Sequence, residues 1–146
     1  MTAEDFLTEE ERRAVAAAIG EAEKHTSAEI RVHLEDHIEE DVLDHAVFIF
    51  EELGMHRTVL RNGILIYICV ADRQMAVIGD KGINENTPPG TWEEVIAIMR
   101  THFAERRHAE GLKLAVDKVG RLAAEFFPRS KDDHNELSNE VSFSRK

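Results

Sequence analysis

Apolar and polar positions along the chain change period several times, and each change marks an element. Thr8 and Glu11 have the spacing of a capping box, and Val15, Ala16, Ile19 and Ala22 then recur at helical spacing to about Lys24, which predicts a first helix. From Ser27 to Glu35 the period drops to two, with Ile30, Val32 and Leu34 on one face and Glu29, Arg31, His33 and Glu35 on the other. That alternation predicts a strand with one wet or thinly covered face. Val42, Ala46, Val47, Phe50 and Leu53 restore the helical spacing and stop at Gly54. Gly63 to Val70 is apolar at nearly every position, the signature of a strand buried on both faces at the centre of its sheet.

Connection lengths convert these elements into a topology. A helix between the first two strands requires them to be parallel, with a right-handed crossover. Ala71-Asp72-Arg73-Gln74 is too short for a crossover, so Met75 to Gly79 must return antiparallel to the central strand. Gly79-Asp80-Lys81-Gly82 then leaves the sheet, its two glycines suggesting a special backbone conformation or a close approach. After the loop Asn86-Thr87-Pro88-Pro89-Gly90, Thr91 with Glu94 reads as a second capping box, opening a helix through Trp92, Val95, Ile96, Met99 and Phe103. A last helix, roughly Glu110 to Phe127, carries Leu112, Ala115, Val116, Val119, Leu122 and Ala123 and stops at Pro128. The expected architecture is α/β: an α/β/α sandwich on a small mixed sheet, one domain over residues 1–128, followed by a polar tail over 129–146.

Charge narrows the partners. With 29 Asp and Glu against 18 Lys and Arg the formal net charge is −11, which argues against nucleic acid, whose phosphates demand a basic surface. Divalent cations are the natural counterpart of such a surface, and solubility alone also explains it. The opening MTAEDFLTEEERR lacks the basic region and apolar core of a secretory signal, and no run approaches the roughly 18 apolar residues of a membrane span. The single cysteine, Cys69, lies inside the apolar strand and reads as a small buried hydrophobe. The expectation is a cytoplasmic protein without a membrane partner.

Topology also decides which carboxylates can meet. One sheet end gathers Ser27, Asn62 and Asp80, with Glu29 a step inside; the other gathers Glu35, Asp36, Asp72 and Arg73, next to a run with six carboxylates in residues 35–44. A hard cation such as calcium or magnesium takes several oxygens from converging loops. The carboxyl ends of parallel strands are the usual ligand side of an open sheet, which favours the second end. The metal candidates are, in falling order, Asp72, Asp36, Asp80 and Glu29, with Arg73 as an anion contact. Asp72 is also an ordinary turn former, and the acidic run suits a solvated helix N-terminus. His33 and His37 have zinc-like spacing but straddle a strand end. The chain has no Gly-x-Ser-x-Gly, P-loop or Gly-x-Gly-x-x-Gly, and no general base or nucleophile follows from spacing.

The segments TSAEIRVHLE, RNGILIYICVADRQMAVIGDKGIN and FAERRHAEGLKLAVDKVG, with FFP and the closing NELSNEVSF, resemble the TPM domain, in particular its stand-alone cytosolic bacterial branch. The resemblance runs from about Phe6 to Phe143. It implies an α/β/α sandwich, calcium or magnesium binding, and kinship with a plant thylakoid acid phosphatase. It also implies that the tail docks on the domain through Leu137, Val141 and Phe143. Exported relatives open with Asp-Asp-Ala-x-x-Leu where this chain has Glu4-Asp5-Phe6-Leu7. Two functions follow as expectations. One is cation binding with a weak metal-dependent action on a phosphate ester; the other is a non-catalytic module for a protein partner.

Overall fold

The structure is a computed structural model and describes residues 1–129 and 138–144. In chain order the elements are α1 (Ala3–Phe6), α2 (Glu9–Glu23), β1 (Glu29–Glu35), α3 (Val42–Glu52), a 3-10 turn (Met55–Arg57), β2 (Gly63–Cys69), β3 (Gln74–Gly79), α4 (Lys81–Asn84), α5 (Thr91–Ala104), α6 (His108–Phe126) and β4 (Ser142–Ser144). The strands form one mixed sheet in the order β3-β2-β1-β4. β1 is parallel to β2, with Glu29 opposite Gly63 and Glu35 opposite Cys69, and parallel to β4. β3 is antiparallel to β2. Among the described residues no helix is long and apolar enough to cross a membrane.

Helices cover both faces, as the unbroken apolar run of β2 requires. Ile64, Ile66 and Ile68 join Ile30, Val32 and Leu34 in a core closed by α1, α2, α5 and α6. Leu65, Tyr67 and Cys69 face the other way, against Ala46, Ile49 and Phe50 of α3 and Met55 of the 3-10 turn. Every residue of β2 is buried, so fully apolar composition is the only pattern that avoids stranded polar groups there.

Thr8 and Glu11 form the expected capping box, each side chain accepting the other's backbone N–H. The second expected capping box does not form. α5 begins at Thr91 with Gly90 as its cap at φ 85°, and the Thr91 hydroxyl donates instead to the Pro88 carbonyl. A left-handed cap position suits glycine, and the residue after it is already helical, one place too late to act as cap.

The polar face of β1 is not wet. Glu29, His33 and Glu35 are buried and Arg31 is half-buried. Alternation reports which side chains share a face; it does not report whether another polar group covers them. The tail contributes part of that cover: β4 lies beside residues 33–35 and sets Ser142 and Ser144 against His33, while Val141 and Phe143 pack on the opposite, apolar face. Leu137, expected to dock with them, lies outside the described residues.

Candidate functional site

At the carboxyl end of β1 and β2, the hairpin turn after β2 touches the loop after β1. Both Asp72 oxygens lie 2.9 Å from His37 Nδ1, and Oδ2 also accepts the Ile38 N–H at 3.1 Å and the Cys69 thiol at 2.9 Å. The thiol first and the Ile38 N–H second hold the Asp72 carboxyl down at about 2, with a further contribution from His37. Burial, with the Asp72 charge beside it, pushes the Cys69 thiol up to about 12. Cys69 is therefore a buried hydrogen-bond donor rather than a nucleophile. The spacing Cys69-x-x-Asp72 was the sequence signal for that contact.

Asp36 sits at the same end with a different task. Its Oδ1 accepts the Ala3 N–H at 2.5 Å, its carbonyl accepts from Ala71, and its own N–H donates to the Ser144 carbonyl. The side chain thereby ties α1 to the sheet. Arg73 occupies the turn at φ 52° and is exposed.

A buried polar network underlies this end; strand direction placed Glu35, Glu40 and His33 near it, but not His45, Tyr67 or the serines of β4. Glu35, 1% exposed, has Oε1 3.2 Å from His45 Nε2 and accepts from the Tyr67 hydroxyl at 3.4 Å. His45 Nδ1 meets the Glu40 carboxylate. Burial above all, then the Glu35 charge, raises the Tyr67 hydroxyl beyond its usual range. His33 lies between Ser142 Oγ, 2.7 Å from Nδ1, and Ser144 Oγ, 3.0 Å from Nε2. Burial, reinforced by Arg31 and His45, pushes His33 down to about 4, so its neutral ring donates to one serine and accepts from the other.

The opposite end is built differently. Asp80 caps α4 by accepting the Lys81 N–H at 2.8 Å, and Arg61 Nε and Nη2 donate to its two oxygens at 2.8 and 2.9 Å. Burial raises Asp80, but the Arg61 fork and the Lys81 N–H outweigh it and keep the carboxyl below its usual range. A Cβ on Gly82 would come within 2.7 Å of the Leu60 carbonyl and 2.8 Å of the Arg61 carbonyl, so the expected close approach is real. Glu29 is buried beside Glu23, whose Oε2 accepts the Ile30 N–H at 2.8 Å. Burial, with Glu29 adjacent, pushes Glu23 up to about 8. Asn62 Nδ2 donates to Ser27 Oγ, while its buried Oδ1 has no hydrogen-bond partner among the described residues.

The structure thus places Asp36 and Asp72 at one sheet end and Glu29 and Asp80 at the other, each carboxylate with its own partners. Among the described residues no three His, Cys, Asp or Glu side chains are grouped as a metal site.

A four-stranded mixed sheet with helices on both faces and carboxylates at each strand end defines the class. The TPM domain family matches residues 1–122, and the chain belongs to that family. It is similar to the BA42 protein from the psychrophilic bacterium Bizionia argentinensis, known from an NMR structure, with 42% identity, 95% of this chain and 96% of that chain covered, and a TM-score of 0.88. The N-terminal domain of a P. gingivalis protein, also solved by NMR, is 18% identical over 86% of this chain and 83% of that chain at a TM-score of 0.68, a likeness of fold alone. No curated protein matches.

Proposed function

We propose that this TPM-domain chain binds a divalent cation, calcium or magnesium, at the sheet end that holds Asp36 and Asp72. The observation that carries the reading is the state of Asp72. The Cys69 thiol and the Ile38 N–H, with a smaller contribution from His37, hold its carboxyl low while leaving it partly exposed, on a rim with the exposed Glu39, Glu40 and Asp41. Hard cations take carboxylate and carbonyl oxygens, and the donor chemistry fits. The donors are not preassembled: the exposed His37 must turn off Asp72, and a carboxylate of the 37–41 loop must swing over it. Asp80 and Glu29 are the weaker pair, since the first is already answered by Arg61 and the second is buried against another carboxyl group.

Weak hydrolysis of a phosphomonoester belongs to this reading. A bound cation would supply charge neutralisation for the ester. The chain's own contribution is Arg73, exposed in the turn beside Asp72, as a contact for the ester oxygens. A non-catalytic module for a protein partner is the second reading, favoured by the apolar residues exposed on α3.

The test is a calcium and then magnesium titration of the metal-free protein, read by backbone amide shifts. Shifts confined to residues 36–41 and 71–74, lost in Asp72→Asn and retained in Asp80→Asn, are expected. Weak, uniform shifts along residues 35–44 would mean diffuse counterion attraction and would sink the reading. Any phosphomonoesterase activity must disappear in Asp72→Asn with the fold intact.

A further inference from the structure

α3 buries only half of its circumference. His45, Ala46, Ile49 and Phe50 face the sheet, while Leu43, Asp44, Val47, Phe48, Glu51 and Glu52 are exposed. Leu43 and Val47 are four residues apart and share one row of the helix, with Phe48 on the adjacent row. Leu43 is 54% exposed and Phe48 51%. Of the eight large hydrophobic residues exposed among those described, five fall within residues 43–60: these three with Val59 and Leu60. Isolated exposed apolar residues need no explanation, but a concentration on one helix face does.

Histidines aside, the charged residues of the segment that carries this face all have one sign. Between Arg31 and Arg57 the chain has no Lys or Arg, while Glu39, Glu40, Asp41, Asp44, Glu51 and Glu52 are all exposed. We infer that the outer face of α3 is a docking surface for a short, basic, amphipathic segment of another protein, whose apolar side chains cover Leu43, Val47 and Phe48 while its Lys or Arg side chains meet the carboxylates interleaved with and preceding them. Charge complementarity selects this occupant. A two-fold contact between copies through α3 would set like carboxylates against each other, and an anionic bilayer would be repelled in the same way. The apolar side chains supply contact area, and the carboxylates interleaved with them, Glu51 in the Leu43–Val47 row and Asp44 in the Phe48 row, supply orientation.

The probe is a synthetic amphipathic helix of Leu and Lys with Leu at helical spacing, titrated into the whole chain and read by amide shifts. Its control is a peptide of the same composition with the order scrambled. The expected result is shifts centred on Leu43, Val47 and Phe48, with affinity reduced at least about tenfold by Leu43→Ser with Val47→Ser, the loss of two partly buried apolar contacts. Because both residues are exposed, the doubly substituted protein should keep the unbound amide pattern. Asp44→Lys with Glu51→Lys should weaken binding and reduce its salt dependence. Equal binding of the scrambled peptide would overturn the inference, as would unchanged affinity of the serine variant or a dimer of the free protein closed through α3. Cation binding does not enter the outcome, because the serine variant should titrate with calcium as the parent does.

Discussion

Asp72 and Asp80 stand just before and just after the same strand, β3, and both are kept ionised by different means. Asp80 is answered by a positive charge, the Arg61 fork, with one backbone N–H in support. Asp72 is held chiefly by a thiol and a backbone N–H, which carry no charge of their own. The first arrangement cancels a charge and locks the chain's exit from the sheet. The second lowers the proton affinity of the carboxyl chiefly through neutral donors, with the exposed His37 ring as a lesser partner, next to an acidic loop. Two aspartates at the ends of one strand thus divide into a structural lock and a candidate cation ligand, by the kind of donor each meets.

The largest expected effect separates the two ends of β1 by pH. His33, near one end, is pushed down to about 4, so its contribution is present above the free-histidine range near 6.5 and is lost as pH falls toward 4. That loss should be on the order of 3 kcal/mol, at about 1.4 kcal/mol per pH unit between the two values. Glu23, near the other end, is raised to about 8, so its contribution is present below 4.5 and fades as pH rises toward 8. Urea unfolding of the parent protein, His33→Gln and Glu23→Gln at pH 4, 6.5 and 8 should flatten the acid limb in the first variant and the alkaline limb in the second. Equal acid losses with and without His33 would refute the burial account.

Next in size is the lock itself. Asp80→Ala removes the α4 cap and both Arg61 hydrogen bonds and should cost about 2 kcal/mol, with Arg61 left free to reach water. Asp72→Ala should cost less, since that side chain lies nearer the surface. A larger urea-midpoint shift for Asp72 than for Asp80 would reverse the division of roles.

The finest expected effect isolates the thiol. Cys69→Ala should raise the Asp72 carboxyl toward the ordinary aspartate range, whereas Cys69→Ser, which keeps a donor, should not. A carbonyl-carbon NMR titration of Asp72 in the two variants reads this directly. Identical curves would transfer the effect to Ile38 and His37.

Much of the scaffold was legible because it depends on period and connection length. The apolar run of β2, the short turn at Asp72 and the helical spacing of α2, α3 and α6 require only rules about faces and reach. The grouping of Asp36 with Asp72 and of Asp80 with Ser27 and Asn62 followed from strand direction alone. What stayed hidden depends on partners distant in sequence. The cover over His33 comes from Ser142 and Ser144, more than a hundred residues on. The role of Asp80 requires Arg61, which meets it from a left-handed backbone position at φ 51°. A three-residue strand such as β4 has too few positions to show a period at all.

The sheet order β3-β2-β1-β4 places the last described strand beside the first. Asp36 accepts from Ala3 and donates to Ser144, so segments at opposite extremes of the described chain meet at one residue. On the ribosome β1 is made more than a hundred residues before β4, and its edge at residues 33–35 waits uncovered until residues 142–144 emerge. Completion of the sheet therefore comes after every other strand is made, and a nascent chain stopped before β4 exposes His33 and an unpaired strand edge to whatever chaperone or neighbouring chain reaches it first.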